Sequence, residues 1–337
     1  MGMIGMTTTI PAELVFAAGD IPLDLNNIFI TADDRDRYIR LAEREGYPRN
    51  VCQWIKGLYG VLCERKDIDT VIAVTQGDCS NTHALMETLQ IRGVRTIPFA
   101  YPYSRDRNEL YREMVRLADA LGTDLSAAER ERTRLEPLRR KLDILDTMTW
   151  RDNQVSGHEN HLWLVTSSDF NGDPEMYSRE IDAFLDDAVK RPPYNDTVRL
   201  GFMGVPPILD DLYDVVEEYS ARVVFNETQR QFSMPDRTGD IVDQYRSYTY
   251  PYDIFHRLKS IRAEIDRRNL HGVIHYVQSF CHRHIEDLVV RKQLPVPVLT
   301  VEGDAPGVVD ERTKIRLQAF VEMLQVRIQH GNTLKKG

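Results

Sequence analysis

The chain has 337 residues, 42% hydrophobic and 28% charged, which is too apolar for a disordered protein and long enough for two domains. Forty-three basic against 52 acidic residues leave a formal net charge of −9, and no Lys/Arg cluster occurs, so no nucleic-acid partner is expected. No apolar run reaches the ~18 residues of a membrane span. Residues 1–9 lack the charged and apolar regions of a secretory signal, so the expectation is a cytoplasmic protein with no membrane partner.

Pro11 to Gly19 reads as a short helix, with Pro at its first position and Gly at its exit. Ile21 to Leu25 is extended, Asp33 to Glu45 an amphipathic helix, and Asn50 to Arg65 a helix carrying Cys52 near its start and Cys63 near its end. Thr70 to Thr75, apolar and rich in β-branched residues, suits a buried parallel strand. Gln76-Gly77-Asp78 is a loop, Cys79 opens a helix that ends near Arg92, and Val94 to Phe99 is the next strand. Charge-rich helices fill Arg107 to Trp150, while His158 to Phe170 has no clear period. Arg191 to Asn195, with two prolines, reads as the linker between an N-terminal domain with a helical insertion, residues 1–190, and a C-terminal domain, residues 191–337.

Beyond the linker, Thr197 to Met203, Arg222 to Phe225, Val273 to Val277 and Val298 to Val301 read as strands. They alternate with helices over Pro207 to Tyr219, Ile254 to Arg268, Cys281 to Lys292 and Glu311 to Ile328. The Tyr-rich stretch Phe232 to Tyr252 is expected to be a long functional loop or lid. Strands alternating with helices predict two α/β domains with parallel sheets.

An internal similarity stands out. In residues 69–79 and again in 271–281, a Val-Ile pair lies eight and seven residues before a cysteine and a Gln lies three before it, with a helix of about ten residues following. The two halves read as one unit built twice. Ligands of open parallel sheets sit outside the carboxyl ends of strands, so each half delivers a thiol to its functional edge. A helix N-terminus there favours the thiolate.

Four cysteines without a secretory signal do not make a disulfide framework. Cys63, beside Val61 and Leu62, reads as a buried small hydrophobe, whereas Cys52, Cys79 and Cys281 occupy loop-to-helix junctions. Three such thiols fit a metal site assembled from distant segments. His282 and His284 keep zinc open; three thiolates with an incomplete fourth position suit a cubane iron–sulfur cluster with one open iron. An open position lets a metal act as a Lewis acid on substrate. Walker A, Gly-x-Gly-x-x-Gly and Gly-x-Ser-x-Gly patterns are absent. Glu302 and Asp304, at the end of the last strand, are candidate acid/base groups.

The chain resembles the 2-hydroxyacyl-CoA dehydratase subunits, a family that includes benzoyl-CoA reductase-like proteins. The matching pieces are residues 11–22, the Cys52 segment, the strand leading to Cys79, residues 201–207 and 220–224, the Gly272 to Cys281 segment, and residues 297–324. The resemblance implies two Rossmann-like domains, each a short, mostly parallel sheet flanked by helices, with an iron–sulfur site between them. It implies a [4Fe–4S] cluster held by Cys52, Cys79 and Cys281, and an acyl-CoA substrate that undergoes ketyl-radical dehydration or reduction. The electron would come from a separate ATP-dependent iron–sulfur activator, and the working unit would be a homodimer or a heterodimer with a homologous subunit. The family commonly has an acid directly after the second cysteine, where Ser80 stands here. Gln76, Asp78 and Ser80 beside Cys79, and Gln278, His282 and His284 around Cys281, are the candidate substrate-binding residues. Arg316 matches a recurring family arginine. A non-catalytic, cluster-bearing or electron-relay subunit is the alternative.

Overall fold

The structure, a computed structural model, describes residues 2–195 and 198–334, without the side chains of 331–334. The chain divides into two compact units, one made of Met1–Leu142, Leu164–Ala183 and Gln231–Asp253, the other of Asp143–Trp163, Phe184–Arg230 and Ile254–Gly337.

In chain order the first stretch holds β1 (Met3–Met6), α1 (Ala12–Ala17), β2 (Ile21–Asp24), α2 (Leu25–Ile30), α3 (Arg35–Arg44), α4 (Gln53–Glu64), β3 (Ile68–Gln76), α5 (Asn81–Ile91) and β4 (Arg95–Ala100). The helices α6 (Arg107–Leu121), α7 (Leu125–Trp150), α8 (Gly157–Val165) and α9 (Pro174–Ala188) follow. Then come β5 (Val198–Gly204), α10 (Leu212–Glu218), β6 (Ala221–Asn226), α11 (Glu227–Phe232), α12 (Ile241–Ser247) and α13 (Ile254–Arg268). The last elements are β7 (Gly272–Gln278), α14 (Arg283–Gln293), β8 (Val298–Gly303) and α15 (Glu311–Leu334). The first residue of the expected 197–203 strand lies outside the described residues.

The helix ends follow local chemistry. Asp34 and Asp106 cap α3 and α6 by accepting from the amides of Arg37, and of Asn108 and Glu109, and Gly122 closes α6 in the left-handed region at φ 72°.

Each unit holds one four-stranded parallel sheet, in the orders β2-β1-β3-β4 and β6-β5-β7-β8. Successive side chains of a strand alternate faces, so one face of the first sheet presents Ile4, Met6, Ile72, Val74, Ile97 and Phe99 to a core with Leu14, Leu110 and Met114. The second sheet repeats this with Leu200, Phe202, Ile274, Tyr276 and Val301 packed on Leu212, Val216, Leu317 and Val321. The identical strand order shows that the repeated pattern seen in the sequence is a repeated fold.

The Tyr-rich stretch is not a lid. Residues 232–252 carry α12, and Tyr245, Tyr248, Tyr250 and Tyr252 are buried in the core of the first unit. Two of the hydroxyls are met by partners inside: Tyr245 Oη donates to the Ile10 carbonyl at 3.0 Å and to Glu13 at 2.6 Å, and Tyr252 Oη donates to the Tyr245 carbonyl at 3.2 Å. Among the described residues, no helix is long and apolar enough to cross a membrane.

Candidate metal centre

In each sheet the chain leaves the middle in opposite directions, first toward β2 or β6 and then toward β4 or β8. The switch points therefore lie at β1/β3 and β5/β7, and in open parallel sheets this is where ligands bind, outside the carboxyl ends. Cys79 and Cys281 stand at these two points in the same register. Strand β3 ends in Gln76 and β7 in Gln278, the cysteine follows three residues later, and α5 or α14 begins two residues after it. The hydrogen bonding repeats as well, the Cys79 carbonyl accepting from Thr82 N at 3.0 Å and the Cys281 carbonyl from His284 N at 3.1 Å.

The loop before Cys79 depends on Gly77, whose φ is +97° and whose position leaves no room for a Cβ, which would lie 2.8 Å from Pro251 Cβ and 2.9 Å from Tyr101 Cβ. The corresponding loop before Cys281 contains Phe280, left-handed at φ 63° and more than half exposed. Cys52 is the residue before α4 and is buried; its carbonyl accepts from Lys56 N at 3.3 Å. That turn is held by the fully buried Lys56, whose Nζ donates to Glu43 Oε1 at 2.8 Å and to the Arg49 carbonyl at 2.9 Å. All three thiols thus flank helix N-termini, where the partial positive charge of unpaired amides favours a thiolate. Cys63 lies within α4, at neither junction, and its burial pushes the thiol pKa up. No disulfide joins the four.

Of the polar candidates, Gln76, Ser80, His282 and His284 are exposed and Asp78 is partly exposed. Gln278 is buried, its amide donating to the Asp304 carbonyl and its Oε1 accepting from Tyr276 Oη at 3.5 Å, so it ties the end of β7 to the segment after β8. Glu302 accepts from Ser279 Oγ at 2.8 Å, and Arg316 donates to the Thr300 carbonyl at 2.6 Å.

The structure adds a group that the sequence did not single out. At the carboxyl edge of the second sheet, Arg257 is fully buried and donates to Glu227 at 3.1 and 2.7 Å, and to the carbonyl of Gly204 at 3.2 Å. Burial opposes the Glu227 charge, but the Arg257 guanidinium and its hydrogen bonds hold the carboxyl below its ordinary range. The cluster reaches α14 through Arg257 and Glu286 at 3.6 Å and Arg283 and Glu286 at 3.4 Å. Charge pairing between distant segments leaves no spacing signal in a sequence, so nothing there marked these residues.

A family model described as 2-hydroxyglutaryl-CoA dehydratase, D-component, matches residues 7–324. The chain belongs to that family. The match spans both sheets and takes in Cys52, Cys79 and Cys281. The description is that of one component of a dehydratase, which places the chain among subunits of an enzyme that assembles from several. No curated protein matches the chain.

Among the described residues, no group of three or more His, Cys, Asp or Glu side chains is gathered as a metal site. Cys52 and Cys79 belong to the first unit and Cys281 to the second. The donor set, three thiols from separate junctions with no close-spaced Cys pair of the structural-zinc kind, fits an iron–sulfur cluster. Next to Cys52, Gln53 Oε1 and Trp54 Nε1 are buried with no hydrogen-bond partner among the described residues, the condition in which a bound group relieves a desolvation cost.

Proposed function

We propose that this chain, with its two Rossmann-like units, is a cluster-bearing subunit of a 2-hydroxyacyl-CoA dehydratase-type enzyme, with Cys52, Cys79 and Cys281 as the ligands of a [4Fe–4S] cluster. The net reaction is loss of water from a 2-hydroxyacyl-CoA, or the related reduction of an acyl-CoA. A separate ATP-dependent iron–sulfur activator supplies the low-potential electron, in an anaerobic cytoplasm. The subunit pairs with itself or with a homologous chain. The observation that carries this reading is the identical register of Cys79 and Cys281 at the two switch points, in a chain of the dehydratase family.

When bound, such a cluster supplies one-electron chemistry and an open iron able to act as a Lewis acid. The chain's own contribution is positional. Helix N-termini favour the three thiolates, and the Gly77 loop and the Lys56-held turn set where Cys79 and Cys52 stand. Gln76, Asp78, Ser80, His282 and His284, beside the thiols and reachable from solvent, bind and orient the acyl group.

Ser80, standing where the family commonly has an acid, favours a second reading, a cluster-bearing subunit that relays electrons and does no chemistry. The electron paramagnetic resonance signal of the dithionite-reduced, anaerobically purified protein separates the two. A signal that changes on adding a 2-hydroxyacyl-CoA supports the enzyme. A cluster signal indifferent to every acyl-CoA supports the relay subunit, and the absence of any cluster signal contradicts both.

A further inference from the structure

Helix α5 winds directly out of the second cysteine. The Cys79 carbonyl accepts from Thr82 N at 3.0 Å and the Ser80 carbonyl from His83 N at 3.4 Å, so residues 79–83 make its first turn. His83 is the third residue of α5 and stands four after Cys79. Helical side chains lean toward the N-terminus and cover the preceding turn, so the imidazole at 83 belongs to the turn that carries the thiol. A hydrogen bond holds it there: His83 Nε2 lies 2.9 Å from the Thr75 carbonyl, at the carboxyl end of β3 just before the Gln76-Gly77-Asp78 loop.

That bond decides what the ring can offer. A carbonyl only accepts, so Nε2 carries the hydrogen, and in the neutral ring the lone pair is then at Nδ1. Among the described residues, Nδ1 has no hydrogen-bond partner, and His83 is exposed. One ring nitrogen tied to a main-chain carbonyl and the other left bare is the posture of a metal-ligating imidazole, in which the outer hydrogen bond fixes tautomer and ring orientation. Imidazole nitrogen does ligate iron in some iron–sulfur centres.

The second unit has no counterpart. Four residues after Cys281 stands Ile285, an aliphatic side chain 72% exposed. The two repeats agree in the cysteine, in the Gln three before it and in the turn its carbonyl closes, and they differ in this imidazole. On the first turn of α5, Ser80 stands where the family commonly has an acid, and His83 follows three residues later on the same side of the helix.

We infer that His83 Nδ1 is the fourth protein ligand of the cluster in the resting protein, beside Cys52, Cys79 and Cys281. The inference rests on the cluster reading above and fills the position that three thiols leave open. It also gives the two readings of the subunit a structural difference: an enzyme has to release His83 when substrate binds, whereas a relay subunit keeps it.

Pulsed electron paramagnetic resonance of the anaerobically purified, dithionite-reduced full-length protein, prepared with ordinary and with heavy-nitrogen histidine, tests this. The wild type is expected to show the strong coupling of an iron-bound imidazole nitrogen, altered by the label. His83→Gln keeps the bond to the Thr75 carbonyl, because an amide Nε2 can donate in its place, and removes the Nδ1 donor. The coupling is expected to vanish in that variant, at wild-type circular dichroism, and to remain in His282→Gln and His284→Gln. A wild-type cluster without histidine coupling overturns the assignment, as does a coupling that survives His83→Gln or is lost in either of the other two. Those results leave the cluster reading intact. A wild-type protein that carries no cluster contradicts the cluster reading itself.

Discussion

The backbone amide of Asp24 donates to the buried carboxylate of Asp169 at 2.6 Å, which brings two acids together at the end of β2. Asp24 in turn accepts from Ser168 Oγ at 2.8 Å, and from Asn26 N and Nδ2 at 3.0 and 2.9 Å. Burial first, and the neighbouring Asp24 charge second, push the Asp169 carboxyl up to about 7, and burial raises Asp24 as well.

The sign follows from linkage. Between the ordinary carboxyl value of 3.8 and about 7 the native state binds a proton that the unfolded chain does not. This contribution to stability is complete below pH ~4 and is lost as the pH rises through ~7. Asp24→Asn keeps the hydrogen bonds, because the Ser168 hydroxyl can reverse, and removes the charge. The urea midpoint of the variant is expected to fall less than that of the wild type between pH ~5.5 and ~8. Parallel curves for the two proteins would show that the pair does not share this titration.

Asp146 and Arg268, both buried, are joined by two hydrogen bonds at 2.9 and 2.5 Å, with Glu264 and Arg230 completing the cluster. Asp146→Asn leaves Glu264 as the one carboxylate facing Arg230 and the buried Arg268 and is expected to cost about 3 kcal/mol in urea denaturation. Asp152→Asn, which breaks the exposed pair with Arg151, is expected to leave the midpoint unchanged. Equal effects would mean that burial does not set the value of these pairs.

Gly77 carries both a left-handed backbone and a crowded Cβ position, whereas Gly122 is left-handed at φ +72° with nothing within 4 Å. Gly122→Ala should cost only the ~1–2 kcal/mol of the left-handed conformation. Gly77→Ala should cost more, and it should also lower the iron bound per chain by shifting the loop that carries Cys79. Iron content unaffected by Gly77→Ala in folded protein would separate this loop from metal binding.

Much of the fold was legible because its signals are local. The β-branched runs of β3 and β7 marked buried strands, and helix α13 has the bounds that its periodicity suggests, Ile254–Arg268. Strand β1, Met3–Met6, escaped because Met-Ile-Gly-Met has one β-branched residue and no alternation, although it sits inside the sheet. Helix α8 escaped because the polar residues of Gly-His-Glu-Asn-His interrupt any apolar stripe. The Tyr245 segment misled because a tyrosine hydroxyl looks like a surface group until its partners, Ile10 and Glu13, are known, and they lie more than 200 residues away. At the candidate centre, Cys79 and Cys281 were readable through their repeated spacing. Glu227 and Arg257 were not, since no local pattern says which buried charges will meet.

The central claim is that Cys52, Cys79 and Cys281 together hold one cubane cluster. Iron and acid-labile sulfide per chain, measured on anaerobically purified protein for the wild type and for each cysteine changed to Ser, test it most directly. The expected result is about four of each element per wild-type chain, retained in Cys63→Ser and lost in Cys52→Ser, Cys79→Ser and Cys281→Ser. A folded wild-type protein still free of iron after anaerobic reconstitution, or full iron retained in any of those three variants, would contradict it.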